Sequence, residues 1–137
     1  MSCTYISAEL RRLIISRANG RCEYCLVPQN AVYSPPQPDH IIAEQHGGQT
    51  EADNLALSCL HCNRHKGPNV ASVDVETNQL IFLFNPRTQL WAEHFVLEDA
   101  TIRGVTAVGR ITVRVLDLNA PERVEIRQTL IEGGLYP

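Results

Sequence analysis

A small α+β fold organised around a bound metal ion is what the sequence predicts, on three observations. Two C-x2-C pairs, Cys22/Cys25 and Cys59/Cys62, stand 33 residues apart. Apolar residues recur at helical spacing near both ends of the chain. Short apolar segments punctuated by Gly and Pro lie between. At 137 residues the chain has room for one domain with an extension. Its composition, 44% hydrophobic and 20% charged, is that of an ordinary globular protein, and no apolar run approaches the roughly 20 residues that span a bilayer. The N-terminus shows no basic stretch followed by an apolar one, so no secretory leader and a cytoplasmic setting are expected. In that setting clustered cysteines bind metal more often than they form disulfides.

Residues 7–18 read as an amphipathic helix, with Ser7 as its N-cap and Leu10, Ile14 and Ala18 on one face. Asn19-Gly20 ends it. Residues 26–38, broken by four prolines, form a loop with a short strand, and residues 39–43 are extended before the tight turn at Gly47-Gly48. The second cysteine pair opens a short helix through Lys66, stopped by Gly67-Pro68. Residues 79–85 are expected to form a buried strand, and residues 91–97 its hairpin partner across Asn85-Pro86-Arg87. Thr106 caps a helix over residues 107–118, and Pro121 starts another that runs to Gly133-Gly134.

In a C-x2-C turn both sulfurs reach one ion. Two such turns complete a tetrahedral, all-thiolate set with no open position, the structural rather than the catalytic kind of zinc site. Disulfide or redox pairs are the competing reading, disfavoured by the expected compartment. Cys3 is read as a small terminal residue. Thirty-three residues between pairs exceed what a zinc ribbon usually holds, so an insert is expected there.

That insert carries Asp39-His40-Ile41-Ile42, Gly47-Gly48 and Asn54-Leu55, and Cys62 is followed by Asn63, Lys66 and Gly67. In this order, between and after two C-x2-C pairs, the motifs resemble the HNH endonuclease family over roughly residues 11–68. The resemblance implies a zinc-stapled ββα-metal core (residues 1–68) with an N-terminal helix, followed by a strand pair and helices packed on it (residues 69–137). It also implies phosphodiester hydrolysis on nucleic acid, DNA rather than RNA, leaving a 5′-phosphate. By the family pattern His40 is the general base, Asp39 and Asn63 hold a catalytic divalent metal, and Asn54 braces the loop that carries His40. Many relatives have histidine where this chain has Asn63. An Asp/Asn oxygen pair suits Mg²⁺ or Mn²⁺. Lys66, on the same helix face as Asn63, is expected at the phosphate or the leaving group.

The chemistry agrees with these residue types. Hydrolysis of a phosphodiester needs an activated water, a cation on the phosphoryl oxygens and stabilisation of the leaving oxygen. Adjacent residues on a strand point to opposite faces, so a twist or a facing helix must bring Asp39 and His40 to one phosphate. His46, His61 and His65 are read as solvated residues, and His94 as structural.

Charge is the feature that fits least. The net charge is −3, with six Lys/Arg against six Asp/Glu up to Gly67 and six against nine beyond it, where a nucleic-acid enzyme is usually basic. Two alternatives therefore stand beside the nuclease. One is a non-catalytic, zinc-stabilised module that binds nucleic acid or protein. The other is a nuclease subunit active only in a larger complex, with a protein partner bound through residues 69–137. That half is read chiefly as cover for a core too small to stand alone, with Arg103, Arg110 and Arg114 as phosphate contacts in the competing reading.

Overall fold

The computed structural model describes residues 5–31 and 33–137; Cys3 lies outside them. Helix α1 spans Ala8–Arg17, and the Ser7 hydroxyl accepts from the Leu10 amide to cap it. Ile14 is fully buried and packs with Leu55 and Leu57, with Leu10 and Ala18 at the edge of the same cluster. Asn19 and Gly20 both take positive φ and turn the chain out of the helix.

Strand β1 (Gln37–His40) pairs antiparallel with β2 (Leu55–Ser58), aligning Asp39 with Ala56 and His40 with Leu55. Helix α2 (Leu60–Lys66) follows at once, capped by the Cys59 sulfur. The sequence Leu55–Ser58 is buried at every position, against the alternation of a one-sided strand, because α1 covers one face and the cysteine cluster the other.

The remaining elements depart from the expected hairpin. Residues 79–85 do not form a buried strand. Strand β4 (Gln79–Phe82) pairs with β3 (Ala71–Asp74), and Leu80 and Phe82 on it are both 72% exposed. Only Leu83 and Phe84, past its end, enter the core. Nor are residues 91–97 its partner. Asn85 makes a turn, its Oδ1 accepting from the Arg87 amide and its carbonyl from Gln89. The chain then enters a single helical turn, α3 (Trp91–His94). Trp91 Nε1 donates to the Tyr24 carbonyl at 2.9 Å, a tertiary anchor that local pattern does not encode. Strand β5 (Phe95–Glu98) pairs with β6 (Thr101–Gly104) across Asp99, which takes the left-handed conformation.

Helix α4 (Ala107–Val115) is capped by the Thr106 hydroxyl and ends sooner than expected, since Asp117 adopts φ 47°. It lies directly on β6. A Cβ on Gly104 would stand 2.3 Å from the Arg110 amide nitrogen, and one on Gly109 2.0 Å from the His94 carbonyl oxygen, so only glycine permits this approach. Helix α5 (Pro121–Glu132) has Pro121 in its first turn and buries Arg123, Arg127 and Leu130. One hydrophobic cluster contains Cys22, Cys25, Cys59 and Cys62 together with Phe84, Phe95, Ile111, Leu118 and Leu130. The second half of the chain thus closes over the cysteines. Among the described residues the fold is α+β, with five α-helices and three two-stranded sheets, and no helix is long and apolar enough to cross a membrane.

The arginines of this half are engaged within the protein. Arg110 clamps Asp74 and Glu76, Arg114 donates to the Ser72 hydroxyl and the Val73 carbonyl, and Arg103 pairs with Glu98. Hydrogen bonding from Arg110 holds the Asp74 carboxyl down at about 2. A depressed carboxyl stabilises the fold above its unfolded value of about 3.9 and loses that contribution as pH falls towards its folded one. Asp74→Asn is therefore expected to lower the urea midpoint by the same amount at every pH from 5 to 8. A gap that closes within that range would show that the carboxylate is not what ties β3 to α4.

Candidate metal centre and active site

Cys22 and Cys25 sit on a tight knuckle in which the Leu26 amide bonds the Cys22 carbonyl and the Cys22 amide bonds the Val27 carbonyl. Leu26 pays for this with positive φ. Cys59 and Cys62 occupy the start of α2, where the Cys62 amide donates to the Cys59 sulfur at 3.4 Å. All four side chains are buried and free of disulfides, and their sulfurs lie within 4.8 Å of one another. Cys25 and Cys59 Sγ are 3.7 Å apart. A tetrahedral zinc with sulfurs at about 2.3 Å has S···S edges of about 3.8 Å, so the cluster fits the ion the spacing predicts.

Helix α5 reaches this centre. Arg123 Nη2 lies 3.5 Å from Cys59 Sγ and 3.8 Å from Cys25 Sγ. Burial opposes its charge, but the Cys59 and Cys25 sulfurs outweigh that and hold the guanidinium above its usual range. Hydrogen bonds from neighbouring thiols, Cys22 first, push Cys25 and Cys59 down, while burial pushes Cys22 up. Four thiolates around a divalent ion leave two net negative charges, and Arg123 is the buried cation facing them. The hydroxyl of Tyr136 donates to the Cys25 carbonyl at 2.7 Å, so the chain terminus is fastened to the same knuckle.

A second site lies on the other side of β1. Asp39, His40, Glu44 and Asn63 line one cleft of about 230 Å³, with Ala43, Gln45, Gly67 and Pro68. The strand ends at His40, and the facing helix α2 supplies Asn63, which brings the two neighbours Asp39 and His40 to a common space. His40 is 5% exposed; its Nε2 is 2.8 Å from Thr50 Oγ1 and 3.6 Å from Glu44 Oε1. Burial raises the Asp39 carboxyl above its ordinary value, against the pull of the Lys66 ammonium.

Asn54 ties off the connecting loop. Its Oδ1 accepts from the Ile42 amide and its Nδ2 donates to the carbonyls of Ile42 and Gln49, each at 2.9 Å. Gly48 allows this: a Cβ there would stand 1.7 Å from the Ile42 oxygen. Lys66 is placed differently from its sequence reading. It is 2% exposed, and its ammonium donates to the carbonyls of Ile41 at 2.9 Å and His40 at 3.3 Å instead of facing the cleft. Desolvation pulls its pKa down and Asp39 opposes that. Lys66 thus pins the C-terminal turn of α2 to the end of β1.

Sequence reading missed Thr50 and Glu44, the two groups nearest His40 Nε2. Glu44, four residues after His40, carried a signal only in retrospect, since the segment between them is a bend followed by a 3-10 turn. Thr50 is brought in by the loop that Asn54 closes. His46 lies near Lys66 on a separate apolar pocket, and His94 Nδ1 bonds Thr106 Oγ1 at the cap of α4.

Residues 22–69 match the HNH endonuclease family model. No curated protein and no solved structure matches the chain. The matched segment contains all four cysteines and the cleft residues Asp39, His40, Glu44 and Asn63, so both centres lie within the stretch that is similar to an HNH endonuclease domain.

Two variants test the cysteine centre. Cys59→Ser is expected to lose the metal and with it the cooperative unfolding transition; elemental analysis of well-folded protein lacking zinc would contradict this. Arg123→Met should keep one zinc per chain but release it to a competing chelator about 10–100-fold more readily, the usual effect of losing an outer-shell partner.

Proposed function

We propose that this chain is a metal-dependent endonuclease that hydrolyses phosphodiester bonds of nucleic acid, DNA in preference to RNA. The observation that carries this reading is the convergence of Asp39, His40 and Asn63 on one cleft inside the segment matching the HNH family. A pure zinc staple would require only the four cysteines.

His40 is the general base in this reading. A neutral imidazole has one N–H and one lone pair. With the Glu44 carboxylate and the Thr50 hydroxyl both at Nε2, that nitrogen keeps the proton and Nδ1 is left to accept one from water. The water oxygen bonds to phosphorus, the 3′ oxygen departs and takes a proton from solvent, and the 5′-phosphate remains. Asp39 and Asn63 would hold Mg²⁺ or Mn²⁺, oxygen donors that suit these hard ions. When bound, such a cation offsets charge on the phosphoryl oxygens. Asn54 and Lys66 act by position: the first holds Ile42 and Gln49, the second the His40 and Ile41 carbonyls, so His40 is fixed from both sides.

A wider groove of about 790 Å³ continues from the cleft past Arg11, Gln37, Leu60 and Arg64. Its two arginines provide positive charge beside the scissile position in a chain that is acidic as a whole. This favours a nucleic-acid strand laid along α1 and α2 as the ligand. With Arg103, Arg110 and Arg114 all bonded internally, residues 69–137 act as structural cover.

Supercoiled plasmid with Mg²⁺ or Mn²⁺ is expected to be cut, and EDTA to stop it. His40→Ala should keep zinc and fold yet slow cleavage about 10²–10⁴-fold, the contribution of a positioned base. Asp39→Ala should abolish Mg²⁺-supported cleavage at unchanged zinc content. Arg64→Ala should weaken DNA binding and reduce the slope of log affinity against log salt by about one. Folded His40→Ala that cuts at the wild-type rate would refute the assignment of the base.

A further inference from the structure

Helix α2 carries two histidines that neither centre uses. His61 and His65 are one turn apart, and each is two residues from Asn63. At about 100° per residue they fall on the face of the helix turned away from the cleft. Their rings lie 4.1 Å apart, centroid to centroid. Across from them stands Asp117, in the turn that follows α4. His65 Nε2 is 3.9 Å from Asp117 Oδ2, and His61 Nε2 is 2.8 Å from the Asp117 carbonyl oxygen, which leaves Nδ1 as the His61 nitrogen with a free lone pair. One ligand atom from each of the three side chains falls within 4.8 Å of the other two.

Two features separate this group from a casual surface pair. The first is orientation. His65 Nδ1 is 2.8 Å from the His61 carbonyl oxygen, which can only accept, so Nδ1 carries the proton and Nε2 presents its lone pair towards Asp117. A backbone carbonyl on the far nitrogen is the usual way a metal-binding imidazole is aimed. The second is rigidity. Asp117 lies between Leu116 and Leu118, both fully buried, and is therefore held in place although its own side chain is 57% exposed.

We propose that His61, His65 and Asp117 form a third metal site, which takes an imidazole-preferring divalent transition ion such as Zn²⁺, Ni²⁺ or Cu²⁺. Two nitrogens and one carboxylate oxygen suit these ions and not Mg²⁺, whose preference is for oxygen. Three protein ligands leave a position for water, so binding is weaker and more exchangeable than at the closed four-sulfur centre. The ion joins α2, which carries Cys62 and Asn63, to the turn between α4 and α5. It therefore clamps the second half of the chain onto the HNH segment by a link independent of Arg123. The site stands whether or not the cleft cuts nucleic acid.

The test is titration of Ni²⁺ into the zinc-loaded 137-residue chain, with zinc counted before and after. Wild type is expected to take up a Ni²⁺ beyond any held at the cleft, without losing zinc, and to gain thermal stability as it does so. His65→Ala and Asp117→Asn should each weaken that uptake more than about tenfold, beyond the lower end of an outer-shell loss, and abolish the gain. Asn is chosen at 117 because it retains the shape and tolerates the positive φ. Asp39→Ala, which removes a ligand of the cleft only, should keep the Ni²⁺ that depends on His65 and Asp117. Uptake that survives in both His65→Ala and Asp117→Asn, or that disappears in Asp39→Ala, would overturn the proposal, as would wild type that binds no Ni²⁺ at all.

Discussion

Four sulfur atoms drawn together in the interior are the constraint on which the remaining structure depends. The knuckle at Cys22 and Cys25 and the start of α2 at Cys59 and Cys62 come from segments far apart in sequence, yet they meet at the centre of the main hydrophobic cluster. A chain of this size buries a modest core, and a metal held by these four sulfurs would supply a cross-link that apolar contacts alone do not. Three later segments are fastened there. Trp91 bonds the Tyr24 carbonyl, Tyr136 the Cys25 carbonyl, and Arg123 the sulfurs themselves. The second half of the molecule is thus a cap built around the knuckle.

The cap also settles an electrostatic problem. A four-thiolate centre carries surplus negative charge, and burying it without a partner would be costly. Arg123 faces the sulfurs, while the neighbouring Arg127, fully buried, donates to the Ala100 carbonyl and the Asn119 side chain. Two arginines on the inward side of α5 explain why that helix looks poorly amphipathic by sequence, since its buried face is partly cationic. Arg110 and Arg114 tie β3 to α4, and Arg103 ties β6 to Glu98 on β5.

From the sulfur cluster the geometry propagates to the cleft through α2. Its first turn ends in Cys62, its second carries Asn63, and its last residue, Lys66, grips the end of β1. A buried ammonium on two backbone carbonyls makes the strand end and the helix end move as one body. His40 occupies that strand end. Asn54 closes the loop from the other side, and the glycine at 48 makes room for it. The histidine is therefore placed by a chain of contacts that begins at the metal centre.

By itself the sequence determined the elements whose cause is local or whose motif is strict. The Ser7 cap, the Thr106 cap, the proline that opens α5 and the cysteine-led start of α2 all follow from short-range chemistry. The cysteine pairs announced a metal centre, and the order of Asp39-His40, Gly47-Gly48, Asn54 and Asn63 pointed to the HNH family. Tertiary structure decided what depends on distant partners. In the run at 79–82, Leu80 and Phe82 stay exposed because the strand pairs with residues 71–74 and turns only its Ile81 face to the core. Residues 91–94 become a helical turn because Trp91 has an anchor 67 residues away. Lys66 turned inward for the same reason: two carbonyls at the end of a strand 25 residues earlier offered its ammonium a buried partner, and no spacing within its own helix could reveal that.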